Sequence, residues 1–154
     1  NRDIVWLDNL PIATVDLVGG VATFGYIHAD ALGTPRVVSD AKGVTVWTLA
    51  FQGNPFGEML PVSLTGYMLN LRFPGQYFDL ESGLNYNINR DYESVAGRYV
   101  QSDPIGLRGG ISTYSYVHSS PLIKFDGLGL DDSQCMYNRA ACGWLPSVQK
   151  DVNI

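Results

Sequence analysis

The sequence predicts an all-β protein built from antiparallel hairpins. Three observations carry that expectation. β-branched and aromatic residues gather into short runs, Val44-Thr45-Val46-Trp47-Thr48-Leu49 among them, and such residues suit a pleated surface better than a helix. The runs are separated by Gly, Pro, Asp and Asn, the residues that turns require, and Gly alone supplies 17 of the 154 residues. One stretch, Leu84-Asn85-Tyr86-Asn87-Ile88-Asn89, alternates apolar and polar side chains without a break, which is the period of a strand with two unlike faces.

The elements follow in order. Ile4 to Leu7 and Pro11 to Val18 read as strands joined at Asp8-Asn9. Gly19-Gly20 is a two-residue hairpin signal leading into Val21 to His28. Ala31 to Pro35 is a loop, Pro35 opens the strand Arg36-Val37-Val38, and Ala41-Lys42-Gly43 turns the chain into Val44 to Leu49. Gly53, Pro55, Gly57, Pro61 and Gly66 then interrupt any regular element, so residues 52 to 66 are expected to be an irregular connection. Leu71-Arg72-Phe73 resumes extended structure before Pro74-Gly75. The Asn face of the 84–89 strand is expected to be wet or hydrogen-bonded, not a second core. Phe78-Asp79-Leu80-Glu81-Ser82-Gly83 and Tyr92-Glu93-Ser94-Val95-Ala96-Gly97 form a weak repeat, and Val38-Ser39-Asp40-Ala41-Lys42-Gly43 is a looser copy. In each, acid and Gly bracket a hairpin. A lone hairpin cannot bury its apolar face, so such units must stack or wind side by side.

Composition narrows the function. A chain of 154 residues fits one domain and buries roughly 70% of its unfolded surface. Charged residues are only 16%, against about 25% in ordinary domains, as expected of a surface partly covered by something else. The net charge of −5 argues against nucleic acid, whose footprint needs clustered Lys and Arg. No run approaches the roughly 20 apolar residues of a membrane span. Asn1-Arg2-Asp3 carries no signal-peptide pattern; the sequence reads as opening in mid-strand, which leaves room for a leader upstream. Cys135 and Cys142 fit either one disulfide or two free thiols on one helix face. With His28 and His118 distant from them, the set makes a poor metal site, and no cofactor is expected. His118 beside Tyr116 reads as a packed sheet or turn residue. Arg36, Arg72 and Arg98 sit in strand patterns and are expected to pair with carboxylates across the sheet.

The tail differs in character. Asp131-Asp132-Ser133 caps a short helix over Gln134 to Cys142, with Gly143 as its stop and Pro146 beyond. The expected boundary is Leu130/Asp131, giving units 1–130 and 131–154. The second is too short to bury a core unaided.

The chemistry concentrates in two near-copies of one pentapeptide, Asp103-Pro104-Ile105-Gly106-Leu107 and Asp126-Gly127-Leu128-Gly129-Leu130, with residues 108 to 125 between them. Two readings stand. Each copy is a turn, with Asp first and Gly where φ must be positive; spacing alone favours this reading. Alternatively the copies bring two carboxylates to one point, where a close pair can act as general acid and base.

A longer pattern surrounds them. It comprises Trp6-Leu7-Asp8 with Pro11-Ile12-Ala13; His28-Ala29-Asp30-Ala31-Leu32-Gly33-Thr34-Pro35-Arg36; Asp40-Ala41-Lys42-Gly43; and Asn70-Leu71-Arg72-Phe73-Pro74-Gly75-Gln76-Tyr77-Phe78-Asp79. Ser82-Gly83-Leu84-Asn85-Tyr86-Asn87, Gly97-Arg98-Tyr99 and Ser102-Asp103-Pro104-Ile105-Gly106-Leu107 complete it. From about Val5 to Leu130 the chain resembles the C-terminal end of the Rhs/YD-repeat core of bacterial polymorphic toxins and toxin-complex C subunits. The resemblance implies YD-repeat hairpins winding into a spiral β-shell, of which this chain is the terminal piece with a short irregular or helical tail.

It further implies aspartyl autoproteolysis between Leu130 and Asp131, with Asp103 and Asp126 as the acid/base carboxylates, and Gly106 and Gly129 letting the backbone come close to them. Residues 131–154 would be the start or remnant of a variable toxin region. One departure is that the family's second pentapeptide carries Pro after its Asp, where this chain has Gly127, leaving φ unfixed. Implied partners are the remainder of the shell, the C-terminal toxin, and an immunity or adaptor protein. Implied localisation is export from a bacterium as an effector, through a type VI apparatus or within an insecticidal toxin complex, after a cytoplasmic stage. The alternative is a non-catalytic β-repeat scaffold, or a module binding carbohydrate or another surface through Tyr77, Tyr86, Tyr92 and Tyr99. Cross-strand packing is the simpler expectation for those rings.

Overall fold

The structure, a computed structural model, describes residues 2–130. The helix expected over 134–142, both cysteines and the tail as a whole lie outside the described residues. Within them the protein is two antiparallel meanders. The first has strands β1 (Arg2–Leu7), β2 (Leu10–Val18), β3 (Val21–Ala29), β4 (Pro35–Ser39), β5 (Thr45–Thr48) and β6 (Val62–Ser63) in chain order across the sheet. The second has β7 (Tyr77–Phe78), β8 (Asn85–Asn87), β9 (Arg90–Glu93) and β10 (Arg98–Tyr99), again each beside the next.

The turns explain the order. Asp8, at φ 52°, closes a two-residue connection that pairs Leu7 with Leu10. Val18 and Val21 pair across Gly19-Gly20, as a two-residue hairpin requires. The carboxylate of Asp40 accepts from the N–H groups of Lys42 and Val44, and that of Asp79 from Glu81 and Ser82. In both repeats a side chain does the work of a backbone turn, and the hairpins form where the repeat predicts them.

Two expectations are revised. The connection expected over residues 52–66 contains β6, which pairs Val62 with Thr48 at the sheet edge. The strand expected over 84–89 is only Asn85–Asn87, because Ile88 takes φ 56° and Asn87 pairs with Arg90. The chain turns back there, and its alternating pattern spans strand and turn together. Its Asn face is hydrogen-bonded but dry: Asn85 and Asn87 are 3% and 0% exposed, whereas Tyr86 is half-exposed.

Two cores result. Ile27, Val38, Val46, Trp47, Leu49 and Leu69 fill the first, under β3 to β5. Phe73, Tyr92, Tyr99, Tyr116 and Val117 fill the second. Its rings pack closely, Phe73 stacked on Tyr116 at 5.6 Å and Tyr92 tilted against Tyr116 at 4.6 Å, arrangements that add to plain area burial. After β10 the chain has no further strand among the described residues. It runs through turns, including three successive non-glycine residues of positive φ, Val117 to Ser119. That costs roughly 1–2 kcal/mol per residue, and it accompanies the insertion of Tyr116 and Val117 into the second core. His118 is thus a turn residue, as expected.

Candidate functional site

Both pentapeptides are turns, and both carboxylates converge. Asp103 Oδ1 accepts the N–H of Ile105 at 2.9 Å, and the N–H of Gly106 reaches Asp103 O at 3.0 Å. In the second copy Asp126 Oδ1 accepts the N–H of Leu128 at 3.2 Å and that of Leu130 at 3.1 Å. Each aspartate therefore closes its own turn with Oδ1 and keeps Oδ2 for something else. That something is Arg90. Its Nη1 lies 3.0 Å from Asp103 Oδ2 and its Nη2 lies 3.1 Å from Asp126 Oδ2, all three side chains being 3% exposed. The two readings of the sequence describe one arrangement, in which the turns aim the carboxylates.

Arg90 was not legible as a site residue. It opens β9, and the hairpin at Ile88-Asn89 sets it opposite Asn87. From there Nε donates to Gly129 O at 2.7 Å and Nη1 to Thr113 O at 3.2 Å. The guanidinium also lies over the Tyr99 ring, 3.7 Å from its centre. Two buried carboxylates without a cation would repel and desolvate each other; a bidentate, planar cation between them meets both demands.

The rest of the shell is equally specific. Tyr99 Oη donates to Asp126 Oδ2 at 2.8 Å and accepts from Asn87 Nδ2 at 2.7 Å. Asn87 Nδ2 also reaches Asp126 O at 2.9 Å. Burial, and next the charge of Asp126, push the Tyr99 phenol far above its ordinary pKa, so it stays a donor. A hydrogen-bonded Asn face and a packed Tyr99 are as the sequence predicts, but nothing in the sequence ties either residue to Asp126.

The glycines are used differently from expectation. Around Gly106, at φ 63°, there is open space, so it serves only its turn. Gly129 does make a close approach, since a side-chain carbon there would meet Asn87 O, and so does Gly109. A side-chain carbon at 109 would meet both Asp103 Oδ2 and, at 2.9 Å, the carbonyl oxygen of Leu130. The Leu130 carbonyl thus shares a narrow space with the Asp103 carboxylate. Its amide is held by Asp126, and the carbonyl before it by Arg90. Asp131 lies outside the described residues.

Other candidates separate from this site. Arg36 pairs with Asp30 at 2.8 Å, as expected. Among the described residues Arg72 pairs with no carboxylate: it donates to Leu69 O and Leu71 O, both at 2.9 Å, and burial lowers its pKa to about 10. Arg98 is exposed. Of the four tyrosines, Tyr92 and Tyr99 are buried in the second core, while Tyr77 and Tyr86 face each other across β7 and β8. Among the described residues no group of three or more His, Cys, Asp and Glu is placed to hold a metal ion, and no helix is long and apolar enough to cross a membrane.

No protein-family profile matches the chain. It is similar to the toxin protein Tse5 of Pseudomonas aeruginosa, 42% identical over 113 residues, or 72% of this chain and 8% of that protein. It is also similar to RhsA of Dickeya dadantii, described as a probable deoxyribonuclease: 36% identical over 112 residues, 73% of this chain and 8% of that one. Among solved structures, TcdB2-TccC3 superposes with a TM-score of 0.61 at 22% identity, over 84% of this chain and 8% of that one. That likeness concerns the fold. The chain spans a small fraction of the length of each.

Proposed function

Because the chain belongs to the Rhs and toxin-complex core family, we propose that it forms the last turns of a toxin shell and cuts its own backbone after Leu130. The cut would free a C-terminal cargo beginning at Asp131 from a secreted toxin. The observation that carries this reading is the hold on the chain at Leu130: its N–H on Asp126 Oδ1 at 3.1 Å and the preceding carbonyl on Arg90 at 2.7 Å, with its own carbonyl oxygen and Asp103 Oδ2 bordering the same space at Gly109. The peptide unit just before the proposed scissile bond is thus held at both its N–H and its carbonyl beside a carboxylate pair, and such intramolecular placement would replace the binding step of an ordinary peptidase. Amide hydrolysis needs one proton taken from water and one given to the leaving nitrogen, and the Asp103/Asp126 site offers carboxylate chemistry for both.

The shell role draws on a second feature. Large apolar side chains are left outside on the first sheet, among them Leu7, Leu17, Val18, Val21 and Phe24. Further turns of a spiral would cover such a surface.

The test is the intact mass of the purified protein beside its Asp103→Asn variant. Wild type is expected to yield a fragment ending at Leu130, and the variant to keep full mass. A wild-type chain that stays whole leaves an uncleaved β scaffold whose pentapeptides are only turns.

A further inference from the structure

We infer that the two carboxylates divide the work unequally: Asp103 carries both proton transfers, while Asp126 holds the Leu130 peptide and is itself positioned by Tyr99 and Asn87. This deepens the self-cleavage reading and rests on it.

A carboxylate offers about four acceptor positions. Asp126 receives four donors: Arg90 Nη2 and the Tyr99 phenol on Oδ2, and the N–H groups of Leu128 and Leu130 on Oδ1. A proton arriving on either oxygen would have to displace one of them. Asn87 strengthens the lock. Its amide nitrogen can only donate, so at 2.7 Å from Tyr99 Oη it forces the phenol's own hydrogen toward Asp126 at 2.8 Å. Asn87 is fully buried and also grips the carbonyl of Asp126, which fixes both ends of that residue.

Asp103 is built otherwise. Among the described residues it receives the Ile105 N–H on Oδ1 and Arg90 Nη1 on Oδ2. Oδ2 borders the same space at Gly109 as the Leu130 carbonyl oxygen, and with one described donor on it it has acceptor capacity left for a water at that place. In the step that follows, water's oxygen bonds to the Leu130 carbonyl carbon as its proton passes to Asp103 Oδ2, and the carbonyl π pair moves onto oxygen. The tetrahedral centre then re-forms C=O and breaks the bond to the nitrogen of Asp131. That nitrogen keeps the bonding pair and takes the proton back from Asp103. The carboxylate is regenerated, and no second acid is needed.

The test is timed cell-free synthesis of the full chain, with cleavage after Leu130 followed by mass. Asp103→Asn is expected to give no product. Asp126→Asn and Tyr99→Phe are expected to cut at the same bond on the order of 10- to 100-fold more slowly, the cost of a hydrogen bond to a charged acceptor. Tyr99→Phe, slow enough to purify whole, is then moved into buffers from acid to neutral pH. One working carboxylate gives a single ascending limb, whereas two give a bell. The charged and titratable groups facing Asp103 are Arg90, with Asp126 and Tyr99 beyond it, and His118 against neighbouring Gly110. A wild type that stays whole defeats self-cleavage itself. A wild type that cuts, with a dead Asp126→Asn, a Tyr99→Phe at full rate, or a bell in the acid range, overturns the division of labour alone.

Discussion

Gly109 faces the carboxylate of Asp103 with no room between them for a methyl group. Gly109→Ala is therefore expected to push Asp103 Oδ2 away from the Leu130 carbonyl. Reacting groups displaced by about 1 Å can lose on the order of 100-fold in rate. The mass of the purified variant should show mostly uncut chain, while its circular dichroism matches wild type. Rapid, complete cleavage would show that the narrow space is not used.

Arg90 holds two buried carboxylates, so removing it leaves both without a cation. Arg90→Met is expected to cost about 3–5 kcal/mol, read as a lower urea midpoint in an uncleaved Asp103→Asn background. Adding Asp126→Asn to that variant should restore much of the loss, since the second stranded charge goes with it. Equal stability in all of these variants would contradict an ionic triad.

Asp79 is exposed, and its pKa is lowered from 3.8, first by the Ser82 hydroxyl and next by the Glu81 N–H. The sign follows: a carboxyl with a depressed folded pKa stabilises fully above its unfolded value and loses that support as pH falls through the folded one. The hairpin between β7 and β8 should weaken only below the ordinary carboxyl range. Ser82→Ala should move the Asp79 titration, followed by NMR, back toward 3.8. An unmoved titration would remove the hydroxyl as the cause.

Gly75 takes φ 87°, and a side chain there would run into the backbone carbonyl of Gly127 and the amide oxygen of Asn87. Gly75→Ala is expected to destabilise the chain on the order of 3 kcal/mol, combining backbone strain with overpacking. A urea titration measures it. A loss well below 1 kcal/mol would mean that the second pentapeptide moves aside freely.

The hairpins were legible because their signals are local. Asp8-Asn9, Gly19-Gly20 and the acid-and-Gly repeats fix φ and close hydrogen bonds within a few residues. The carboxylates of Asp103 and Asp126 were legible as a repeated pattern. What joins them was not. Arg90 is 36 residues from Asp126, and nothing nearby in sequence distinguishes it from Arg72 or Arg98. Asn87 was legible only in part: an alternating Asn face signals a wet or hydrogen-bonded environment, and sequence cannot separate water from a buried phenol. The strand over 84–89 was read too long because Ile88, a poor residue for positive φ, gives no sign of the turn it occupies.

The hydrogen bonds between 87–90 and 126–130 span nearly forty residues, from Asn87 to Asp126 O and from Arg90 to Gly129 O, each 39 apart. A chain made from its N-terminus therefore completes β8 and β9 long before their partners emerge. Until then Arg90 lacks its second carboxylate turn, and closing so long a loop comes late in folding. The carboxylate pair thus keeps time for the second meander: it exists only once the chain has been made through the second pentapeptide.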